Sequence, residues 1–155
     1  MKYLIYLFLI LSVNSYAQRT SSNRPELAKT ILDSYVEMSE SRGIEVRQRL
    51  YTIDTIIFLE NYENTHEHKD GKCIIHIDIK KYQSDAEIMR STFHEIGHHM
   101  DLRHCIKCSY NIMAEIQDGR ATRLFNIKPI QQLYLDIYFE AIRDPKKYNI
   151  GHTHY

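Results

Sequence analysis

Neither sign of charge predominates in this sequence: twenty Lys+Arg stand against twenty Asp+Glu, and no basic stripe runs along any segment. That balance gives no ground for nucleic acid as a partner, since binding of that kind needs clustered cations. Cysteine is scarce, with three in all, and there is no second C-x-x-C to join Cys105 and Cys108. A structural zinc knuckle wants four such ligands, so a disulfide is the better reading of these cysteines. Tryptophan is absent beside twelve Tyr, a bias to which no function attaches. Repeats and low-complexity tracts are lacking too. What remains is 155 residues, 43% hydrophobic and 26% charged, which is the mix of one soluble globular domain with one core.

The first seventeen residues differ from the rest. Lys2 supplies a positive start, Leu4 to Val13 is apolar apart from Ser12, and Ser15-Tyr16-Ala17 places small residues at the −3 and −1 positions of a cleavage site. The apolar run is shorter than the roughly 20 residues that a membrane span needs. No Cys follows it, so a lipid anchor is not indicated. Residues 1–17 are read as a secretory signal peptide and 18–155 as the working domain. The expectation is an exported protein, periplasmic or secreted, with no stable membrane association after cleavage. In an oxidising compartment two of Cys73, Cys105 and Cys108 are expected to form a disulfide, and the spacing leaves open which two.

Along the mature chain, Pro25 to Ser41 has the spacing of a helix, with Asn23 as a cap and Leu27, Ile31, Leu32, Tyr35 and Met38 on its buried face. Ile44 to Phe58 reads as two strands, of which Asp54 to Glu60 is the stronger. Asn61 to Lys72 is polar and reads as a loop ending in Asp70-Gly71. Cys73 to Ile79 alternates strictly, the pattern of a half-buried strand with His76 on a wet face. A helix is expected from Ser84 or Asp85 to about Met100, and a last one from Ile130 to about Arg143 with Leu133, Ile137 and Ile142 as its apolar positions and Tyr134, Tyr138 and Phe139 beside them. The order of helix, strands, helix, helix gives an α+β layer fold.

The chemistry is concentrated in the second of these helices. His94 and His98 lie four residues apart, about 40° apart around the axis, so both imidazoles can reach one ion. Glu95 stands beside them, completing the H-E-x-x-H pattern of zinc hydrolases. A catalytic zinc needs a third protein ligand and an open position. The candidates are His104, Asp101 and Glu115. On a continuing helix His104 would lie about 9 Å along the axis from His98, out of reach. It can join only if the chain turns back near residue 101, at a residue that tolerates positive φ, and after glycine the best such residues are Asp and Asn. Asp101 occupies that point.

The run His94-Glu95-Ile96-Gly97-His98-His99-Met100-Asp101-Leu102-Arg103-His104 resembles the extended zinc motif of the metzincin peptidases, with Asp101 where that clan has glycine. Ser109-Tyr110-Asn111-Ile112-Met113 is similar to the Met-turn of those enzymes, and His104-Cys105 followed by Cys108 has some likeness to the archaemetzincin branch. The resemblance spans about residues 94–113. It implies one catalytic Zn2+ held by His94, His98 and His104, Glu95 as general base, Met113 as the hydrophobic base beneath the metal, and a peptide or protein substrate. It also implies that the strand Cys73–Ile79 is the sheet edge nearest the cleft. In such a site zinc activates water and Glu95 takes the proton. A gluzincin-type site with Glu115 as third ligand, or an inactive zinc-binding module on the same scaffold, are the competing readings. No tyrosine follows Met113 closely, and no cysteine switch or long pro-segment precedes the domain. The other histidines get plain roles: His66 and His68 in the polar loop, His152 and His154 in a tail, and His99 solvated.

Overall fold

A computed structural model describes residues 20–105, 111–114 and 127–152. The signal-like segment 1–17, Cys108, Ser109, Tyr110, Glu115 and His154 lie outside the described residues. The described part is a mixed α/β structure with a four-stranded mixed sheet and five helices, compatible with the α+β expectation.

The chain enters through a two-residue strand, β1 (Ser21–Ser22), parallel to β2 (Thr55–Leu59). Asn23 does not cap the first helix. Its amide instead donates to the Phe58 carbonyl at 2.7 Å while its carbonyl accepts from the Phe58 N–H at 2.9 Å, extending the pairing beside β2. Helix α1 (Pro25–Glu40) opens with proline, whose missing N–H costs nothing there, and buries Ala28, Ile31, Leu32, Tyr35, Val36 and Ser39 at helical spacing. Gly43, at φ +68, turns the chain.

Only one of the two strands expected between Ile44 and Phe58 forms. After Ile44, the buried residues before β2 are Val46, Leu50 and Ile53, spaced four and three apart, so this segment buries itself around a short helix, α2 (Arg47–Leu50). The supposed loop Asn61–Lys72 contains a strand, β3 (Thr65–Lys69), joined to β4 (Lys72–Asp78) by a two-residue turn at Asp70-Gly71. Both turn residues have positive φ, at 52° and 74°, as an Asp-Gly hairpin demands.

Sheet order is β1-β2-β4-β3, with β2 and β4 parallel and β3 antiparallel to β4. The edge on this side is therefore β3, with β1 at the other, and β4 is paired on both sides, which corrects the expectation that residues 73–79 form the edge. The wet face of β4 is also roofed. Asp78 is 1% exposed and accepts from the Asn61 N–H, while the Tyr62 ring sits 5.0 Å from that of His76. The opposite face carries Ile56 and Phe58 of β2 and Cys73, Ile75 and Ile77 of β4, all buried.

That face joins one continuous core with α1, α3 (Asp85–His99) and α4 (Lys128–Arg143). Ser84 caps α3 by accepting from the Glu87 N–H. Tyr35, Phe93, Tyr138 and Phe139 meet edge to face where α1, α3 and α4 come together, and the Tyr138 hydroxyl donates to the Phe93 carbonyl. On α4 the buried residues are Tyr134, Leu135, Tyr138, Phe139, Ala141 and Ile142, while Leu133 and Ile137 face solvent. The buried stripe thus runs through Tyr134, Tyr138, Phe139 and Ile142, and of the expected aliphatics Leu133 and Ile137 lie outside it. An unforeseen helix, α5 (Pro145–His152), follows.

Candidate metal centre

Everything at the site depends on how α3 ends. The Asp101 N–H bonds the His98 carbonyl and the Leu102 N–H bonds the Gly97 carbonyl, with Asp101 at φ +64. This is the Schellman stop, normally made by glycine. The reversal required at residue 101 is therefore present. Two neighbours hold it with three hydrogen bonds: Arg49 of α2 donates to the His99 carbonyl at 3.0 Å and to the Asp101 carboxylate at 2.7 Å, and Asn149 of α5 donates to the Asp101 carbonyl at 2.7 Å. Asn149 also accepts from the Arg103 N–H. The Asp101 side chain is thereby committed to Arg49 and does not join His94 and His98.

His104 does. Its Nε2 lies 3.1 Å from Nε2 of His94 and 3.0 Å from Nε2 of His98, and the latter two are 3.2 Å apart. Three ring nitrogens so close fit a single small cation with nitrogen ligands at about 2.0–2.1 Å, for which tetrahedral spacing is about 3.3 Å. The tautomers suit that use. His94 Nδ1 is 2.7 Å from the Ile112 carbonyl and His98 Nδ1 is 3.0 Å from the Leu102 carbonyl. A carbonyl can only accept, so each Nδ1 carries the proton and each Nε2 keeps its lone pair, the usual outer support of a metal-binding histidine. Burial pulls His94 down to about 3, outweighing its carbonyl bond, and also lowers His98. His94 is therefore neutral near pH 7, and burial moves His98 in the same direction.

Glu95 is 4% exposed, and burial alone pushes its carboxyl up to about 7. That places its proton exchange near neutrality, where a general base or acid works best.

Beneath α3, Met113 fills the space against Gly97. A Cβ added at Gly97 would stand 2.4 Å from Met113 Sδ and 3.2 Å from Tyr138 Cε2, so the helix needs glycine here to approach its floor. The Met113 segment is fixed from both sides: its N–H bonds the Asn111 side chain at 2.9 Å, and its carbonyl accepts from the Cys105 N–H at 2.8 Å. Asn111 also donates to Tyr148. Cys105 is disulfide-bonded and Cys73 is free.

A second group with ligand chemistry was missed in the sequence. His66, His68, Cys73 and His99 bring ring nitrogens and a thiol within 4.8 Å of one another. His99 is not solvated as expected: its Nε2 is 3.0 Å from the Arg49 carbonyl and 2.8 Å from the Thr52 hydroxyl. The sequence signal was His-x-His, an i, i+2 pair that becomes one-sided only once residues 65–69 are recognised as a strand.

No family model matches this chain, and neither the curated proteins nor the solved structures contain a detectable match.

Proposed function

We propose that this protein is an exported zinc metallopeptidase of metzincin type, with zinc held by His94, His98 and His104 and Glu95 as general base. One observation carries the reading: the Asp101 reversal returns His104 to the H-E-x-x-H pair, so that three Nε2 atoms converge. The donor set suits the metal, since three imidazoles with one position left open are the ligand pattern of a catalytic zinc. Zinc in such a site supplies a Lewis acid that activates water and polarises a carbonyl.

The chain's own residues provide the rest. Glu95, buried next to His94 in sequence, would accept the proton of the attacking water and return it to the leaving amine. Met113 and Tyr138 pack under Gly97 and keep the helix bearing both histidines in place. The edge strand β3 offers main-chain groups with which an extended peptide can pair, giving affinity with little sequence reading. The signal-like segment 1–17 and the disulfide at Cys105 both support an exported location.

The test is zinc content and peptide-library cleavage for wild type, Glu95→Gln and His104→Ala. Glu95→Gln should keep zinc and lose cleavage by about 10²–10⁴-fold, the usual worth of a general base. His104→Ala should lose cleavage and the zinc of this group, seen as one bound ion fewer per chain than wild type. Zinc binding without cleavage in the wild type would leave an inactive zinc module. Full cleavage by Glu95→Gln would remove Glu95 from the mechanism.

A further inference from the structure

The group of His66, His68, Cys73 and His99 is built from three elements that tertiary pairing brings together. On β3, His66 and His68 point to the same side, because strand side chains alternate. His68 pairs in register with Cys73 and His66 with Ile75, so all four lie on the face of the β3–β4 hairpin that carries the core. His99, the last residue of α3, reaches that face from the helix end. Its Nδ1 is 3.2 Å from His66 Nε2 and 3.3 Å from Cys73 Sγ.

The protonation pattern favours a cation. The Nε2 of His99 faces the Arg49 carbonyl and so carries its proton, leaving a lone pair on Nδ1 towards His66 and Cys73. A thiol among imidazoles becomes a strong ligand when a metal displaces its proton. Zinc–nitrogen bonds near 2.0–2.1 Å and zinc–sulfur near 2.3 Å put tetrahedral ligands about 3.3–3.7 Å apart, close to the spacing His99 already makes. Hard cations such as magnesium or calcium want oxygen, which this set lacks.

We propose that His66, His68, Cys73 and His99 bind a zinc ion in a closed four-coordinate structural site that fastens the edge strand β3 to the end of α3. Unlike the His94 group it has a full complement of protein ligands and no open position, the mark of a structural rather than a catalytic zinc. It stands apart from the hydrolytic reading and survives that reading's failure.

The test is titration of the metal-free full chain with cobalt(II) and with zinc, together with Cys73→Ser, His66→Ala and a His94→Ala/His98→Ala double variant. In wild type, a thiolate-to-cobalt charge-transfer band should appear and be displaced by zinc. The band should vanish in Cys73→Ser and weaken in His66→Ala, with one bound ion fewer in each. It should persist in the double variant, whose histidines belong to the other group. Zinc should also shield Cys73 from a thiol reagent, and chelation should restore the reaction. Absence of the band in wild type, or an unchanged ion count in Cys73→Ser, would overturn the proposal. If Cys73→Ser does not fold, the His66→Ala titration and the thiol protection in wild type decide it.

Discussion

Two histidine groups share the C-terminal end of α3, with His98 in one and His99 in the other. In both, a ring nitrogen is turned to a backbone carbonyl, so the other nitrogen's lone pair faces the neighbouring ligand atoms. They differ in completeness. The His94 group has three ligands, a buried carboxyl next in sequence, and His104 open to solvent. The His66 group adds a thiol as fourth ligand and has no acid among its members. One helix end thus supplies a site suited to reaction and another suited to fastening. Ligand count, through the thiol that completes the second group, separates them.

The comparison is broken most directly by removing one ligand from each. His104→Ala should lower peptidase activity by roughly 10³-fold or more, while His68→Ala should leave it within a few-fold, as expected when only the first group touches the reacting atoms. Equal losses in a cleavage assay would mean that the two groups act as one unit.

The buried carboxyl next to the first group sets a pH test on metal-free protein. Folding raises Glu95 from 4.5 to about 7, so its stabilising contribution is complete below 4.5 and is lost as pH rises towards 7. His94 runs the other way: lowered from 6.5 to about 3, it favours the folded state above 6.5 and loses that effect as pH falls. His66, lowered from 6.5 to about 4, behaves likewise. Glu95→Gln removes only the first of these. Its stability relative to wild type should therefore grow by on the order of 3 kcal/mol between about pH 4.5 and pH 8. Urea unfolding in chelator measures this, and parallel pH curves would count against a buried Glu95.

The floor of the first group has no counterpart in the second. Gly97→Ala should cost about 1–3 kcal/mol by forcing Met113 and Tyr138 aside. The double variant Gly97→Ala/Met113→Ala should cost less than the sum of the singles, and strict additivity in thermal unfolding would deny the contact.

The smallest expected effects come from the turn between the two groups. Asp101→Val should destabilise by about 1–2 kcal/mol, because a branched side chain resists the left-handed region. Asp101→Gly should fall near zero, easing the backbone while giving up the exposed Arg49 pair. A reversed order would show that the Arg49 contact, not the backbone, selects Asp at this position.

Local order set what could be read in advance. Helix α3, its Ser84 cap and its approximate end follow from periodicity and capping chemistry within a single segment. The short helix α2 and the strand β3 were misread because Ile, Val and His patterns there serve contacts made elsewhere in the chain. Met113 under Gly97 was expected only through the metzincin resemblance, since nothing local aims a methionine at a glycine sixteen residues earlier.

By itself the sequence determined that His94 and His98 share one side of a helix and that Asp101 could reverse the chain after it. Helical geometry and the conformational tolerance of Asp are properties of the residues and their spacing. Only the tertiary structure decided that His104, rather than Asp101, joins the pair, because Arg49 and Asn149, distant in sequence, hold the turn and occupy the Asp101 carboxylate and carbonyl. It alone assembled the second group too. The β3–β4 register and the position of the α3 end are set by pairing and packing between segments far apart in the chain, and no spacing within any one of them encodes that meeting.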